Sequence, residues 1–153
     1  MIEYRVTKYN PAFRDARGAY TGDDWTSFSD IGKSFAGVVL TEAEYQRVEQ
    51  AYISTTLAFL AEGGISSLTV EELENPANLV LPVAEGSVVR VEELAEVMRP
   101  ILREEFWCRL EAEGGFVHFG YDYYIYLGVP HRCPAAERTA AELGLYAEVF
   151  AQP

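Results

Sequence analysis

This chain of 153 residues has few side chains of the types that catalyse reactions or bind metals: two histidines, two cysteines and a run of acids and tyrosines. In the segment FVHFGYDYYIYL (116–127), a β-strand would place the even-numbered side chains on one face. The polar members of that face are His118, Asp122, Tyr124 and Tyr126. With Arg132 they could line a catalytic or ligand-binding groove, although an unbroken strand would separate His118 from Asp122 by about 13 Å. The alternative is a strand face that a helix or loop covers.

The soft metal ligands of the chain form no familiar motif. They are Cys108, His118, His131 and Cys133. Their spacing lacks the close pairs of structural zinc sites, and residues two apart, such as His131 and Cys133, rarely face each other as base and nucleophile. The Gly-Lys-Ser at 32–34 has Ser27 where a phosphate-binding loop requires glycine. We therefore predict no metal, no cofactor and no catalytic residue from motifs.

A protein-binding surface is the other chemistry that these residues could support. The densest polar and aromatic cluster contains Asp23, Asp24, Trp25 and Asp30. Aromatic side chains on loops are typical interface anchors, although acids in such a loop also form turns and caps. Glu104 and Glu105 belong to the acidic face of a predicted helix, which could attract a basic partner or could simply be solvated.

The charge balance narrows the class of partner. Twelve Lys and Arg residues against 24 Asp and Glu residues give a net charge of −12, and the isoelectric point is about 4.5. This acidity excludes nucleic acid as the main ligand, because nucleic-acid binders need basic patches, and it argues against docking to an anionic membrane. Residues 1–35 contain five acids and five bases, so the whole excess lies after residue 35. We expect a basic protein as the partner.

Hydrophobic periodicity predicts the elements of the first half of the chain. Residues 2–9 alternate apolar and polar side chains, which predicts a half-buried strand. Residues 10–35 show no period yet contain five aromatic residues, so we expect an ordered loop that lies across the fold. Thr41 and Glu44 form a capping box at the start of a helix, and Gly63–Gly64 ends it.

The middle of the chain is less regular. The segment ISSLTV (65–70) predicts a strand followed by a turn of helix at 70–74, and residues 75–90 fit irregular chain or short strands. Apolar residues spaced by three and four predict a helix over 92–113, with a kink or break at Pro100.

Residues 116–127 predict the strongest strand, with a hairpin near Tyr121–Asp122 as the alternative. A short helix from Pro134 to about Leu143 and a last strand over 145–151 follow. This order of elements predicts an α+β fold in a single domain, 1–153. Two long helices and one short helix would pack on a mainly antiparallel or mixed sheet.

The compartment follows from the N-terminal residues and the cysteines. The segment MIEYRVTKYN contains charged residues and no apolar stretch, so we expect no secretory signal. Two cysteines without a framework of disulfides favour free thiols in the cytoplasm.

Several segments resemble parts of short uncharacterised bacterial proteins: YNPAFRDARGAY (9–20), DDWTSFSDIGKSF (23–35), LTEAEY (40–45) and FVHFGYDYYIYLG (116–128). The size and acidity of the chain are also similar to those of immunity proteins from polymorphic-toxin systems. That resemblance implies a non-enzymatic protein that neutralises a toxin, and it assigns no site residue. We therefore favour a cytosolic protein-binding domain, such as an immunity protein against a basic nuclease. The alternative is a small enzyme or ligand-binding domain that uses the groove around 118–126.

Overall fold

The computed structural model describes residues 1–150, in which an antiparallel sheet carries a layer of helices. The strands of these residues are β1 (Ile2–Thr7), β2 (Ser34–Phe35), β3 (Val38–Val39), β4 (Ser67–Glu74), β5 (Val88–Arg90), β6 (Trp107–Ala112), β7 (Gly115–Phe119), β8 (Tyr124–Val129) and β9 (Tyr146–Val149). The α-helices are α1 (Glu42–Glu62), α2 (Leu94–Leu102) and α3 (Pro134–Glu142). Seven strands form the main sheet in the order β5-β4-β6-β7-β8-β1-β9, while β2 and β3 pair as a separate hairpin. The predicted α+β class is confirmed.

Helix α1 is the centre of the layer that packs on the sheet. Thr41 caps its first turn, where the Thr41 hydroxyl accepts a hydrogen bond from the Glu44 backbone N–H at 3.1 Å. The Phe59 ring faces the sheet and lies 4.6 Å from the ring of Tyr4 on β1. Helix α1 also contacts α2 and α3, so the three helices form one layer. The helix predicted from the capping box is therefore confirmed.

The predicted helix over 92–113 is wrong beyond its first half. Helix α2 ends at Leu102, and strand β6 begins at Trp107 after a turn in which Glu104 has a φ of +61°. The spacing of Phe106 and Leu110 fits a helix, but with Cys108 between them it also fits the period of two of a strand. All three side chains are buried in the core, which the extended conformation allows, so the segment forms a strand.

Because the helix ends at Leu102, the acidic residues predicted on its later turns lie elsewhere. Glu104 and Glu105 are not on a helical face; they lie in the exposed turn between α2 and β6. The second long helix of the predicted architecture is replaced by a nine-residue helix and a six-residue strand.

Two further strands differ from the sequence-based expectation. Residues 70–74 do not form a turn of helix, because β4 continues to Glu74 through an irregularity between Glu71 and Glu74, with Glu72 at a φ of +53°. Residues 116–127 do not form one strand. They form the alternative hairpin, in which β7 and β8 are joined by a turn at 120–123.

The remaining predicted elements are present. Strand β1 pairs with β8 on one side and with β9 on the other. Helix α3 lies where a short helix was predicted. Strand β9 covers the middle of the predicted 145–151, whose residue 151 lies outside the described residues. Among residues 1–150, no helix combines the length and the apolar character needed to cross a bilayer.

The long segment 10–35 is ordered and is attached to the sheet. The Arg14 guanidinium lies 2.6 Å from a carboxylate oxygen of Glu148 on β9, and Arg5 on β1 holds the same carboxylate at 2.9 Å. Further along the segment, the Trp25 side chain is buried in the core beside α1. The segment thus joins an edge of the sheet to the helical layer.

Candidate functional site

A cleft of about 470 Å³ opens at one end of the sheet, between the α2–β6 turn and the β7–β8 turn. We call it the aromatic cleft. Its volume lies in the range of about 300–1,000 Å³ that is typical of ligand pockets. Its lining residues come from three segments of the chain: Glu74, Pro76, Ile101, Leu102, Glu104, Phe106, Trp107, Phe119, Gly120, Tyr121, Asp122, Tyr123 and Tyr124.

The charged groups of the aromatic cleft are all acidic. Glu74, Glu104 and Asp122 line it, and its lining contains no lysine, arginine or histidine. Within residues 1–150, none of these three carboxylates has an ion pair or a side-chain hydrogen bond. By contrast, the nearby carboxylate of Glu49 is 3% exposed and accepts two hydrogen bonds from Arg103, at 2.9 and 3.0 Å. The cleft therefore presents negative charge without an internal counter-ion.

Six of the thirteen residues that line the cleft are aromatic. The indole N–H of Trp107 donates a hydrogen bond to the Phe119 carbonyl at 3.0 Å, which fixes the ring between β6 and the end of β7. Tyr121, at the tip of the β7–β8 turn, is 95% exposed. Negative charge beside aromatic faces attracts an organic cation, because the negative face of a ring and a carboxylate both attract positive charge.

The turns that form the cleft have an unusual backbone. Glu104, Asp122 and Tyr123 have φ angles of +61°, +59° and +69°. A non-glycine residue in this left-handed region costs about 1–2 kcal/mol, so the surrounding contacts must hold each turn in place. Strained backbone of this kind is frequent at functional sites, and here three such residues line one cleft.

Buried tyrosine hydroxyls hold the β7–β8 turn. Tyr9 donates a hydrogen bond to the Asp122 carbonyl at 2.8 Å, and Tyr52 donates one to the Tyr123 carbonyl at 2.8 Å. The hydroxyl of Tyr123 in turn donates to that of Tyr45 at 2.7 Å. Burial raises the pKa of each of these four tyrosines, so all of them are protonated and can donate at neutral pH.

The long segment supports this cluster from behind. The Trp25 ring lies 5.0 Å from the ring of Tyr123 and 5.4 Å from that of Tyr45. Phe28 packs on Tyr45 at 5.0 Å and also lies beneath the guanidinium of Arg103, next to Glu104. Both turns of the cleft therefore rest on aromatic side chains of the segment 10–35.

The cluster predicted to contact a partner has mostly internal contacts. Trp25 is only 6% exposed, and Asp24 forms an ion pair at 2.9 Å with Lys8, whose ammonium lies over the Tyr9 and Trp25 rings. Asp23 accepts a hydrogen bond from the Ala36 N–H at 2.6 Å.

The other members of the predicted partner surface differ in exposure: Asp30 is half-buried, whereas Glu104 and Glu105 are exposed. Asp30 caps a short 3-10 turn and binds Lys33 at 3.2 Å. Glu104 lines the aromatic cleft, whereas Glu105 is exposed beside it. A role of these acids in binding a partner stays a prediction.

The four residues of the predicted groove are divided between two places. His118 and Tyr126 are register partners on the sheet face opposite the helices. There the His118 ring stacks on Phe116 and its Nε2 lies 2.5 Å from a Glu111 oxygen. Asp122 and Tyr124 instead line the aromatic cleft. Arg132 lies apart from both groups and pairs with Glu137.

Sequence reasoning missed several residues of the cleft. Glu74 falls in the turn of helix predicted for 70–74, and Trp107 falls in the helix predicted for 92–113. Phe119 and Tyr121 fall in the strand predicted for 116–127, where no function is predicted for them. The one signal for this site is the run of four aromatic residues around Asp122 at 119–124, interpreted as a turn.

The cysteines and histidines do not come together. Cys108 is buried on the core face of β6, where burial raises the pKa of its thiol to about 12, and Cys133 is buried beside Tyr4 and Phe59. His118 lies on the opposite face of the sheet. Residues 1–150 contain no group of three or more His, Cys, Asp or Glu side chains arranged to hold a metal ion.

Comparison of the chain with protein-family models, with curated proteins and with solved structures gives no match.

Proposed function

We propose that this chain is a non-enzymatic binding domain that contacts a basic protein partner through the aromatic cleft. An immunity protein that neutralises a basic toxin, such as a nuclease, would have this property. The observation that carries the proposal is the set of three carboxylates, Glu74, Glu104 and Asp122, which line one cleft and have no cationic partner among residues 1–150.

Two physical effects support this function. The net charge of −12 would speed the approach of a positively charged partner, because complementary charge raises association rates. Exposed aromatic side chains at the rim, Tyr121 above all, would then bury apolar area in the complex, as interface hot spots do. Long-range charge would set the rate of encounter, and the aromatic cleft would set the lifetime of the complex.

Capture from the native host followed by kinetics would test the proposal. The immobilised chain is compared with a cleft variant carrying Glu74→Gln, Glu104→Gln and Asp122→Asn. A charge-matched control carries Glu92→Gln, Glu96→Gln and Glu113→Gln at exposed acids outside the cleft.

We expect a basic protein that binds the wild type and the control but not the cleft variant. Its purified form should associate more slowly as salt increases. A partner that binds all three proteins equally, or an association rate that does not change with salt, would contradict the proposal.

One observation favours the alternative, a small enzyme or ligand-binding domain. The imidazole of His118 lies 2.5 Å from the Glu111 carboxylate, and a carboxylate that orients an imidazole is the usual arrangement for acid–base catalysis. The pair is half-buried on a sheet face that none of the described helices covers. The second function would therefore use His118 and Glu111 with Tyr126, while Asp122 lies in the turn beyond them.

A panel of hydrolase and transferase assays on the wild type and on His118→Asn would test this alternative. Turnover that the variant loses, with an unchanged unfolding midpoint, would establish a catalytic histidine. If the wild type shows no turnover above that of the variant, the His118–Glu111 pair is structural.

A further inference from the structure

We propose that the aromatic cleft binds the side chain of an arginine that the partner presents, and this inference rests on the proposed function. The basic partner would insert one guanidinium between the aromatic rings and the carboxylates of the cleft. The choice of arginine over lysine follows from the shape of the walls and from how the same chain accommodates its own cations.

The first argument is geometric. A guanidinium is planar, so its face can stack on a ring while its N–H groups donate hydrogen bonds to carboxylates at its edge. The aromatic cleft offers both kinds of contact, with Trp107 and the exposed Tyr121 as rings and with Glu104 and Asp122 as carboxylates. These acids come from two different turns, so a cation between them would be approached from two sides.

The second argument comes from the arginines of this protein. The Arg103 guanidinium lies 5.0 Å from the centre of the Phe28 ring while it binds both carboxylate oxygens of Glu49. Arg5 lies 4.4 Å from the centre of the Phe150 ring and pairs with Glu148. In both places a ring and a carboxylate hold one guanidinium, which is the combination that the cleft presents without an occupant from its own chain.

The third argument separates arginine from lysine. Lys8 is the one ammonium among residues 1–150 that is held between aromatic rings and a carboxylate, and burial lowers its pKa to about 8. An ammonium is strongly hydrated in water, and it loses that hydration when it is buried in such surroundings. Its pKa therefore falls towards neutral pH, and its charge is easily lost. A guanidinium is hydrated more weakly and keeps its charge, so it gains more from the same contacts.

Nuclear magnetic resonance with small peptide probes would test the inference without the natural partner. The probes are acetyl-Gly-Arg-Gly-amide, the same peptide with citrulline, which is neutral but of the same shape, and the same peptide with lysine. The proteins are the wild type, Asp122→Asn, which keeps a residue that tolerates a positive φ, and Glu113→Gln as the control.

We expect the arginine peptide to shift the Trp107 indole resonance and the amides of residues 104–107 and 119–124. Citrulline and lysine peptides should bind at least about tenfold more weakly than the arginine peptide. Asp122→Asn should lower the affinity for the arginine peptide by about tenfold, the loss expected for one charge-assisted hydrogen bond. Glu113→Gln should leave the affinity unchanged.

Shifts spread over all the acidic surface, or equal binding of the arginine and lysine peptides, would overturn the inference. The comparison of arginine with citrulline uses only the wild type, so it does not depend on whether a variant folds. If the arginine peptide binds in the cleft but no basic protein is captured from the host, the inference stands and the proposed function fails. If a basic protein binds through the cleft while the peptides do not discriminate, the reverse holds.

Discussion

The hydroxyl of Tyr9 donates a hydrogen bond to the backbone carbonyl of Asp122, 2.8 Å away. The bond joins the residues that follow the first strand to the turn that carries one carboxylate of the aromatic cleft. Asp122 has a positive φ, so its conformation depends on contacts of this kind. A hydroxyl buried behind the cleft thereby determines the position of a charge at its surface.

Replacing Tyr9 with phenylalanine tests this relationship. The carbonyls of Asp122 and Trp25, at 2.8 and 2.9 Å from the Tyr9 hydroxyl, would both lose this donor. The free energy of unfolding should therefore fall by about 1–2 kcal/mol, and the arginine peptide should bind more weakly. Urea unfolding and the peptide titration measure the two effects. Tyr20→Phe is the control, since its ring contacts Tyr9 but its hydroxyl has no hydrogen-bond partner among residues 1–150. Equal effects of the two substitutions would show that the bond does not position the turn.

The buried tyrosines predict a loss of stability in alkali. Burial raises the pKa values of Tyr9, Tyr45, Tyr52 and Tyr123 above 10.0, so the folded chain keeps protons that the unfolded chain releases. The free energy of unfolding should therefore decrease as the pH rises above about 10. Urea unfolding between about pH 9 and pH 11 measures this slope. Tyr45→Phe should reduce the slope, whereas replacement of the exposed Tyr121 should not.

Lys8 predicts the opposite slope at lower pH. Burial lowers its pKa from 10.5 to about 8, so between these values the unfolded chain holds a proton that the folded chain has lost. The contribution of Lys8 to stability should rise with pH through this window, by up to about 3 kcal/mol. Lys8→Met should remove that part of the pH dependence in urea unfolding, and Lys33→Met, at an exposed lysine, should leave it in place. A slope that is the same in all three proteins would contradict the prediction.

The Glu49–Arg103 pair predicts a large effect of removing one partner. Arg103→Met would leave the Glu49 carboxylate, which is 3% exposed, with Arg99 at 3.7 Å as its remaining cationic partner. We expect a loss of about 3 kcal/mol in urea unfolding, because an uncompensated charge remains buried, and a partial recovery when Glu49→Met is added.

An exposed ion pair supplies the control for this change. Arg47 pairs with Glu44 at the surface, so Arg47→Met should cost less than about 1 kcal/mol. A similar cost for Arg47→Met and Arg103→Met would mean that burial of Glu49 does not decide the effect.

Local patterns predicted a good part of the fold. The capping box at Thr41 located α1, and the alternation of residues 2–9 located β1, because both signals depend only on neighbouring residues. The helix over 92–113 failed because apolar residues four apart satisfy both a helical and an extended period. At Phe106 and Leu110, burial in the folded core decides between them.

The candidate site was much less accessible to sequence reasoning. Its acids lie at positions 74, 104 and 122, and they meet only because β4, β6 and β7 are neighbours in the sheet. The composition of the segment 10–35 predicted an aromatic loop, but it could not tell that Trp25 faces inwards. The direction of a side chain in an irregular segment depends on the surfaces that it meets, and these belong to distant parts of the chain.

The place of β1 in the sheet has a consequence for how the chain acquires its structure. β1 lies between β8 and β9, so both of its hydrogen-bonded neighbours are drawn from residues 124–149. On a ribosome, the strand would leave the exit tunnel before both of its partners and would stay unpaired on both edges until residues 124–149 had also been made. Non-local pairing of this kind slows folding and leaves strand edges exposed to other chains. Newly made molecules should therefore depend on chaperones more than the mature protein does.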